Sequence, residues 1–197
     1  MTRWLIVFAL AFTHSSMAVA KEKVTSIEVY KNNRTMFLLN GEKIVGAYGV
    51  RLSYKYNNPT FRPGPKRLQG DNQTPEGKYK IIEKRDYEWS QFKKSLLISY
   101  PSPKDILWGQ ENGYSKEELG SHILIHGNSK RVHPTLKNFF LKYMSWYFES
   151  EEEIYDFFVK NIFPKFDWTN GCIAVTDEEM DAIYQMVPVG TPIVIHP

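Results

Sequence analysis

The chain has 197 residues, of which 42% are hydrophobic, and a formal net charge of +3. This length and hydrophobic share suit one domain with a substantial core. The small charge excludes the strongly basic surface of a typical nucleic-acid-binding domain, so no nucleic acid is expected as a partner. The single cysteine excludes an intramolecular disulfide. The five histidines show no metal-ligand spacing, so neither a metal nor another cofactor is expected.

Residues 1–20 have the pattern of a secretory signal peptide. Arg3 supplies a positive charge, residues 4–12 form an apolar run, and Ala-Val-Ala at 18–20 is a cleavage site. The run is short against the ~20 residues of a membrane-spanning helix, which makes an uncleaved anchor the lesser alternative. We therefore expect an exported, periplasmic protein with the mature chain 21–197 and no stable membrane anchor.

The first half of the mature chain is typical of β-structure. Asn40-Gly41 predicts a hairpin turn, because this dipeptide tolerates the positive φ angles of a tight turn. Residues 57–77 are rich in Pro and Gly and predict a loop, and Ser115–Leu119 predicts one helical turn. The predicted strands are Val24–Tyr30, Thr35–Leu39, Lys43–Leu52, Lys78–Lys84, Leu96–Tyr100 and His122–His126.

The chain changes character at residues 134–163, which are rich in aromatic side chains at helical spacing. We predict two helices there, separated near Glu149 and Ser150, and expect the aromatic stripe to pack on the domain rather than to bind a cofactor. A capping box at Thr176 opens a further helix, and 191–196 forms the last strand. The predicted fold is mainly β, with a C-terminal helix and a helical insertion before the cysteine.

Cys172 is the candidate nucleophile. It follows Gly171, whose missing side chain permits a tight turn and leaves room for a substrate. In an oxidising exported compartment an unpaired thiol is a liability, which is easier to explain if its chemistry is used. A buried, inert cysteine remains the alternative on spacing alone.

His126 is the candidate base. It ends the last predicted strand of the first half and precedes Gly127. A single cysteine with a histidine elsewhere in the chain is the minimal constellation for thiol catalysis. His122 lies on the same face of that predicted strand, where it could orient the base or simply pack. A packed or surface His126 is the alternative.

Three stretches carry a resemblance to a known family. The first spans 63–79 and contains Gly-Asp at 70–71 and Thr-Pro-Glu-Gly-Lys-Tyr at its end. The second is Ile-Leu-Ile-His-Gly at 123–127, and the third is Thr-Asn-Gly-Cys-Ile at 169–173, followed by a helix and Gly-Thr-Pro-Ile at 190–193. In this order they resemble the L,D-transpeptidase catalytic domain, also called the YkuD domain, in its exported small-domain branch.

The resemblance implies a β-sandwich-like fold and acyl transfer on peptidoglycan stem peptides. Such enzymes cut the bond between the third residue and the terminal D-alanine of a tetrapeptide, and pass the acyl group to an amine. By resemblance, Cys172 forms a thioester and His126 donates and accepts the proton. The acceptor amine is not implied. The residues expected to shape the oxyanion site are Thr169, Asn170, Gly171 and Gly127.

The chain departs from the common family pattern at two positions. Asn170 stands where many members have His, and Ala174 stands where many have Arg. The second change removes a cation that could orient the substrate. Arg62 and Lys66 could instead meet a carboxylate of the stem peptide, although a solvated basic loop is an equal alternative.

The spacing between the two catalytic candidates is longer than usual for the family. Cys172 lies 46 positions after His126, and the excess is the helical insertion at 134–163. Long insertions beside catalytic residues are often functional. We expect this one to act as a lid or wall of the donor groove.

Two other functions remain open for the same sequence. If water accepts the acyl group, the enzyme is an L,D-carboxypeptidase or a hydrolase that releases a wall-linked protein, and only water exclusion and acceptor fit decide this. The second alternative is a non-catalytic peptidoglycan-binding module, which the changes at Asn170 and Ala174 leave open.

Overall fold

The computed structural model describes residues 22–57, 64–86 and 91–197. The predicted signal peptide at 1–20 and the candidate substrate-binding residue Arg62 lie outside these ranges. Within them, no helix combines the length and the apolar character that crossing a bilayer requires.

The described residues form one eight-stranded sheet, so the mainly-β prediction is confirmed. Along the sheet the strands follow the order β3-β2-β1-β8-β4-β5-β6-β7. Neighbours pair antiparallel except β1 with β8 and β6 with β7. The strands are β1 Ser26–Tyr30, β2 Thr35–Asn40, β3 Lys43–Gly49, β4 Gly77–Arg85, β5 Ser95–Ile98, β6 Leu124–His126, β7 Ile173–Ala174 and β8 Pro192–His196.

Five α-helices lie within the described ranges. The two-helix insertion and the capping box at Thr176 are confirmed, because both the break and the reciprocal bonds between Thr176 and Glu179 are present. The first helix was not predicted, although Ser102 and Asp105 form the same kind of capping box around a Pro at its start. The helices are α1 Pro103–Glu111, α2 Lys116–Leu119, α3 Pro134–Tyr143, α4 Glu151–Asn161 and α5 Asp177–Met186.

The main core lies between the sheet and α5. Alternate residues of β1 and β2 are buried, and Ile27 of β1 stands opposite Leu38 of β2. Both are fully buried and pack in one cluster with Met180 and Ile183 of α5. Burying a side chain of this size stabilises the fold by roughly 2 kcal/mol, so the period-2 pattern fixes which face of the sheet is covered.

The two edges of the sheet meet beside the cysteine. The backbone of Arg51, just beyond β3, exchanges two hydrogen bonds of 2.8 Å with Ala174 in β7. The carbonyl oxygen of Leu52 accepts bonds from the N–H groups of Trp168 and Thr169, at 3.0 and 2.9 Å. The segment leading to the candidate nucleophile is therefore held by the chain just beyond β3.

Two strand boundaries differ from the prediction. The predicted strand Lys43–Leu52 ends at Gly49, because its last residues leave β2 and pair with the opposite edge. The predicted strand starting at His122 begins only at Leu124, and His122 adopts a left-handed conformation with φ of 62°. The expected shared strand face of His122 and His126 was therefore wrong: the chain is still turning out of α2 at that point.

The helical insertion has a hydrophobic core of its own. Partly buried Trp168 packs against that core, and its ring lies 4.6 Å from the ring of Phe163 and 5.4 Å from the ring of His126. The insertion thus packs directly beside the end of β6. The buried residues of this second hydrophobic core are Val132, Phe148, Ile154, Phe158 and Phe163.

A buried lysine ties β1 to the loop that precedes β4. Lys31 is 3% exposed, and its Nζ donates to the carbonyl oxygens of Gly64 and Thr74, at 2.7 and 3.0 Å, and to Glu76 Oε1 at 2.7 Å. Burial lowers the pKa of Lys31 below its ordinary value, while Glu76 opposes that shift. This contact holds the Thr-Pro-Glu-Gly loop in place.

Replacing Lys31 by Met should lower the free energy of unfolding by about 3 kcal/mol, because it leaves a carboxylate and two carbonyls without their shared donor. The matched control is Lys43→Met, which removes an ion pair with Glu22 whose lysine is 66% exposed. That change should cost below about 1 kcal/mol. Urea unfolding monitored by circular dichroism measures both. Equal stability of the two variants would contradict the stabilising role of the Lys31 contacts.

Candidate active site

The parallel pairing of β6 and β7 brings the two catalytic candidates together. His126 stands opposite Ala174, and the carbonyl of His126 accepts a bond of 2.9 Å from the N–H of Val175. Cys172 directly precedes β7. Both side chains line one cavity.

His126 is held as a neutral imidazole. It is 1% exposed, its ring stacks on Phe92 at 3.5 Å, and its Nδ1 lies 2.6 Å from the carbonyl oxygen of Gly127. A carbonyl only accepts, so Nδ1 carries the proton and the neutral ring has a free lone pair on Nε2. Burial lowers the pKa of His126 to about 4, partly opposed by that hydrogen bond. His126 is therefore neutral rather than cationic at neutral pH.

Cys172 is held as a neutral thiol. It is half-buried, and its Sγ donates to the carbonyl oxygen of His122 at 3.7 Å. Burial raises the pKa of the Cys172 thiol to about 11, although a backbone hydrogen bond from Leu124 and the charge of Lys66 act in the opposite direction. The thiol of Cys172 and the imidazole of His126 are therefore both uncharged at neutral pH.

The loop before the cysteine admits only glycine at 171. Gly171 has φ of 118°, and a Cβ there would lie 2.6 Å from the carbonyl oxygen of Gln73. Buried Thr169 closes the loop: its Oγ1 donates to the carbonyl of Cys172 at 2.8 Å and accepts from the N–H of Gly171 at 3.3 Å. The cysteine backbone is therefore fixed by its own loop.

Asn170 connects this loop to the Thr-Pro-Glu-Gly loop. Its Oδ1 accepts a hydrogen bond of 3.0 Å from Nδ2 of Asn72.

Gly127 has a packing role: a Cβ there would lie 2.2 Å from Oδ1 of Asp177, which accepts from the N–H of Asn128 at 2.9 Å. The absent side chain at 127 lets the start of α5 pack against the end of β6.

The two candidate substrate-binding residues that the structure describes lie near the thiol. Lys66 is 5% exposed, so the alternative of a solvated basic loop was wrong for this residue; its Nζ donates to Leu68 O at 2.8 Å and to Asp71 Oδ1 at 3.1 Å. The Nδ1 of His122 pairs with Ser121 Oγ at 2.7 Å. Both Lys66 and His122 line a cavity that reaches Cys172.

Two cavities of different chemistry meet at the cysteine. We call the larger one, of about 850 Å³, the polar cavity; among its lining residues are Lys66, Gln69, Asn72, Lys116, Glu117 and His122. We call the smaller one, of about 440 Å³, the apolar cavity. Its apolar lining residues include Phe92, Val132, Leu136, Phe158, Phe163 and Trp168, and its polar ones include Gln91, Ser129, Arg131, His133 and Thr169. Cys172 and Asn170 line both, whereas His126 lines the apolar cavity.

Sequence reasoning missed the contacts around the histidine. Phe92, which stacks on His126, and Trp168, which meets its edge, belong to no motif, and only the folded sheet brings them to the ring. Across 22–57, 64–86 and 91–197, no three His, Cys, Asp or Glu side chains are grouped so that they could hold a metal ion.

The sequence of this chain matches a known protein family. The chain matches the family model of the L,D-transpeptidase catalytic domain over residues 25–195, and it belongs to that family. It is 30% identical over 102 residues to YafK, a candidate L,D-transpeptidase of Escherichia coli K12; the match covers 52% of this chain and 37% of YafK.

A solved structure shows the same fold. The crystal structure of Pgp2, the helical cell shape determining protein of Campylobacter jejuni, superposes with a TM-score of 0.52 and 16% identity, covering 87% of this chain and 47% of Pgp2. The chain thus spans less than half the length of each of these two relatives.

Replacing Lys66 by Met should raise the pKa of the Cys172 thiol further, because a nearby cation is lost. Below that pKa the alkylation rate follows the thiolate fraction, so alkylation by iodoacetamide at about pH 8 should slow by roughly threefold, or half a pKa unit. Lys116→Met, an exposed change in the same cavity, is the control and should alkylate at the wild-type rate. A Lys66→Met variant that alkylates as fast as the control would refute the electrostatic coupling.

Burial of neutral His126 should make the protein less stable in acid. The unfolded imidazole takes up a proton below pH ~6.5, whereas the folded one does so only near pH 4. Between these values the unfolded state binds more protons, so stability falls as the pH falls. Relative to His126→Gln, the wild type should lose roughly 3 kcal/mol more between pH ~7.5 and pH ~3.5. Urea titrations at both pH values measure this, and parallel losses would show that His126 does not titrate as described.

Proposed function

We propose that this protein is a periplasmic cysteine L,D-transpeptidase that acts on peptidoglycan stem tetrapeptides. The observation that carries the proposal is the juxtaposition of the single thiol with a buried neutral imidazole in one cavity, within a chain of the L,D-transpeptidase catalytic-domain family. Export rests on the predicted signal peptide at 1–20.

The first half-reaction forms a thioester. Sγ of Cys172 attacks the carbonyl carbon of the amide between the third residue and D-alanine, while its proton passes to Nε2 of His126. The C–N bond then breaks, and His126 returns the proton to the leaving amine. In the second half-reaction an amine attacks the thioester carbon, gives a proton to His126, and the C–S bond breaks to restore the thiol.

The neutral resting pair suits this sequence of proton transfers. A base must hold no proton before attack, and the low pKa of His126 ensures that at neutral pH. The same low pKa makes the transient imidazolium a strong acid toward the leaving amine. The high pKa of the Cys172 thiol makes the thiolate strongly nucleophilic once it forms.

The oxyanion of each tetrahedral intermediate needs backbone donors near the thiol. The N–H of Gly171 already bonds to Thr169, at 3.3 Å. We therefore assign the oxyanion to the N–H of Cys172. Its peptide unit lies between the two peptide units that bond to Thr169, through the N–H of Gly171 and the carbonyl of Cys172. Thr169 and Gly171 act by setting the geometry of that donor.

The two departures from the family pattern change the site without removing its chemistry. Ala174 is buried in β7, so this position carries no cation into either cavity. Asn170 is bonded to Asn72 and cannot titrate. In their place, Lys66 is the cation whose charge acts on Cys172.

The mature chain should convert purified disaccharide-tetrapeptide into a cross-linked dimer, detected by mass spectrometry. Cys172→Ala should abolish the product. His126→Gln should lower kcat by roughly 10²- to 10⁴-fold, because it removes general acid–base catalysis.

Other products would decide between the alternatives. Tripeptide without dimer would make the enzyme an L,D-carboxypeptidase, and protein released from intact sacculi would make it a wall-protein hydrolase. If neither substrate gives a product that depends on Cys172, the enzymatic proposal fails and a peptidoglycan-binding module takes its place.

A further inference from the structure

Asp167 fixes the start of the nucleophile loop, which we define as residues 167–172. Its Oδ1 accepts a hydrogen bond of 2.7 Å from the N–H of Leu52. The carbonyl oxygen of the same Leu52 accepts bonds from the N–H groups of Trp168 and Thr169, at 3.0 and 2.9 Å. Three consecutive residues are thus bound to the two backbone polar groups of one residue. This arrangement sets both the position and the direction of the chain as it enters the loop.

An ion pair orients the carboxylate of Asp167. This side chain is 8% exposed, and Arg34 donates to it from Nε, at 3.2 and 3.0 Å to the two oxygens, and from Nη2 at 2.8 Å. Arg34 lies in the turn between β1 and β2, where its carbonyl accepts a bond of 2.8 Å from the N–H of Val50 and its N–H donates to the carbonyl of Lys31 at 3.3 Å. A guanidinium bonded through two nitrogens fixes the orientation of a carboxylate as well as its distance.

The nucleophile loop carries this position to both catalytic candidates. Thr169 donates from its Oγ1 to the carbonyl of Cys172 at 2.8 Å. The ring of Trp168 lies 5.4 Å from the ring of His126. A shift of the chain at Asp167 would therefore move the thiol and, at the same time, the aromatic ring that contacts the imidazole.

We propose that Asp167, oriented by Arg34, is a positioning residue for the thiol and the imidazole of this site. It acts through the backbone of the nucleophile loop, and neither Asp167 nor Arg34 lines the polar or the apolar cavity. The effect on turnover rests on the proposed function, whereas the effect on the thiol needs no substrate. A misplacement of about 1 Å can cost 10²-fold in rate, so a loosened loop should lower kcat far more than it changes the KM.

Arg34→Gly removes the guanidinium without straining the turn, because Arg34 has φ of 52°, which glycine adopts freely. In the mature chain, kcat for cross-linking of the tetrapeptide should fall roughly 10- to 100-fold, with the KM changed less than about twofold. Lys160→Gln is the control: it removes an exposed ion pair with Asp156, lines neither cavity and should keep the wild-type kcat. A wild-type kcat in Arg34→Gly would overturn the proposal.

Ethylguanidinium tests whether the lost contact is the one with Asp167. Arg34 is 32% exposed, so a small cation can reach the space that its side chain leaves. At concentrations that do not denature the protein, ethylguanidinium should raise the kcat of Arg34→Gly several-fold. It should not do so when Arg34→Gly is combined with Asp167→Asn, which lacks the charge. Ethylammonium controls for ionic strength. Rescue of both variants alike, or of neither, would refute the role of Asp167.

The thiol gives a second readout. Burial raises the pKa of Cys172 to about 11, and a loosened loop would let water reach the thiol. Iodoacetamide at about pH 8 should therefore label Arg34→Gly roughly three- to tenfold faster than the wild type, which corresponds to a pKa lower by about 0.5 to 1. Labelling at the wild-type rate would contradict the proposal. Circular dichroism shows whether each variant is folded under the assay conditions. If Arg34→Gly does not fold, Asp167→Asn keeps the side-chain volume and gives the same two readouts.

The two readouts separate this inference from the proposed function. A wild type that gives no product, with faster labelling of the variant, means that the proposed function fails while the positioning of the thiol stands. An active wild type whose kcat and labelling rate are matched by the Arg34→Gly variant means that this inference alone fails.

Discussion

The parallel pairing between β6 and β7 is the constraint on which the site depends. It sets His126 opposite Ala174, and with it the position of Cys172 two residues earlier. The backbone of Arg51 hydrogen-bonds to the other side of β7, so the two-residue strand is bonded along both edges. A strand this short has little stability of its own. The curl of the whole sheet, which brings its first and last strands to one place, is what keeps the thiol beside the imidazole.

Desolvation then decides the chemistry of the pair. Burial raises the pKa of Cys172 and lowers the pKa of His126, so both groups rest without charge. Oxidants and alkylating agents react with thiolates far faster than with thiols. A lone cysteine that stays protonated until a substrate arrives is thus compatible with the oxidising compartment in which we place the protein. The same burial lowers the stability of the folded state in acid, because His126 binds a proton in the unfolded state at a pH where it does not in the folded state.

Short sequence patterns predicted the local structure, whereas contacts between residues far apart in the chain were not predicted. The turn at Asn40-Gly41, the capping box at Thr176 and the two insertion helices each follow from a few neighbouring residues, and all are present. The prediction that His122 shares a strand face with His126 was wrong, because period-2 alternation does not reveal where a strand begins. The stacking of Phe92 on His126 joins residues far apart in the chain, which no local pattern contains. Lys66 bonds to its near neighbours Leu68 and Asp71, but the ring of Tyr100, over which its Nζ lies, is also distant in the chain.

The charge state of the site can be observed directly. Nitrogen-15 and proton NMR of the labelled imidazoles, with His126 assigned by comparison with His126→Gln, reports which ring nitrogen of His126 carries a proton. At neutral pH we expect a proton on Nδ1, none on Nε2, and the same spectrum in Cys172→Ala, because the resting pair exchanges no proton. An imidazolium at neutral pH that disappears in Cys172→Ala would contradict this, since it would show a preformed ion pair in place of a neutral thiol and base.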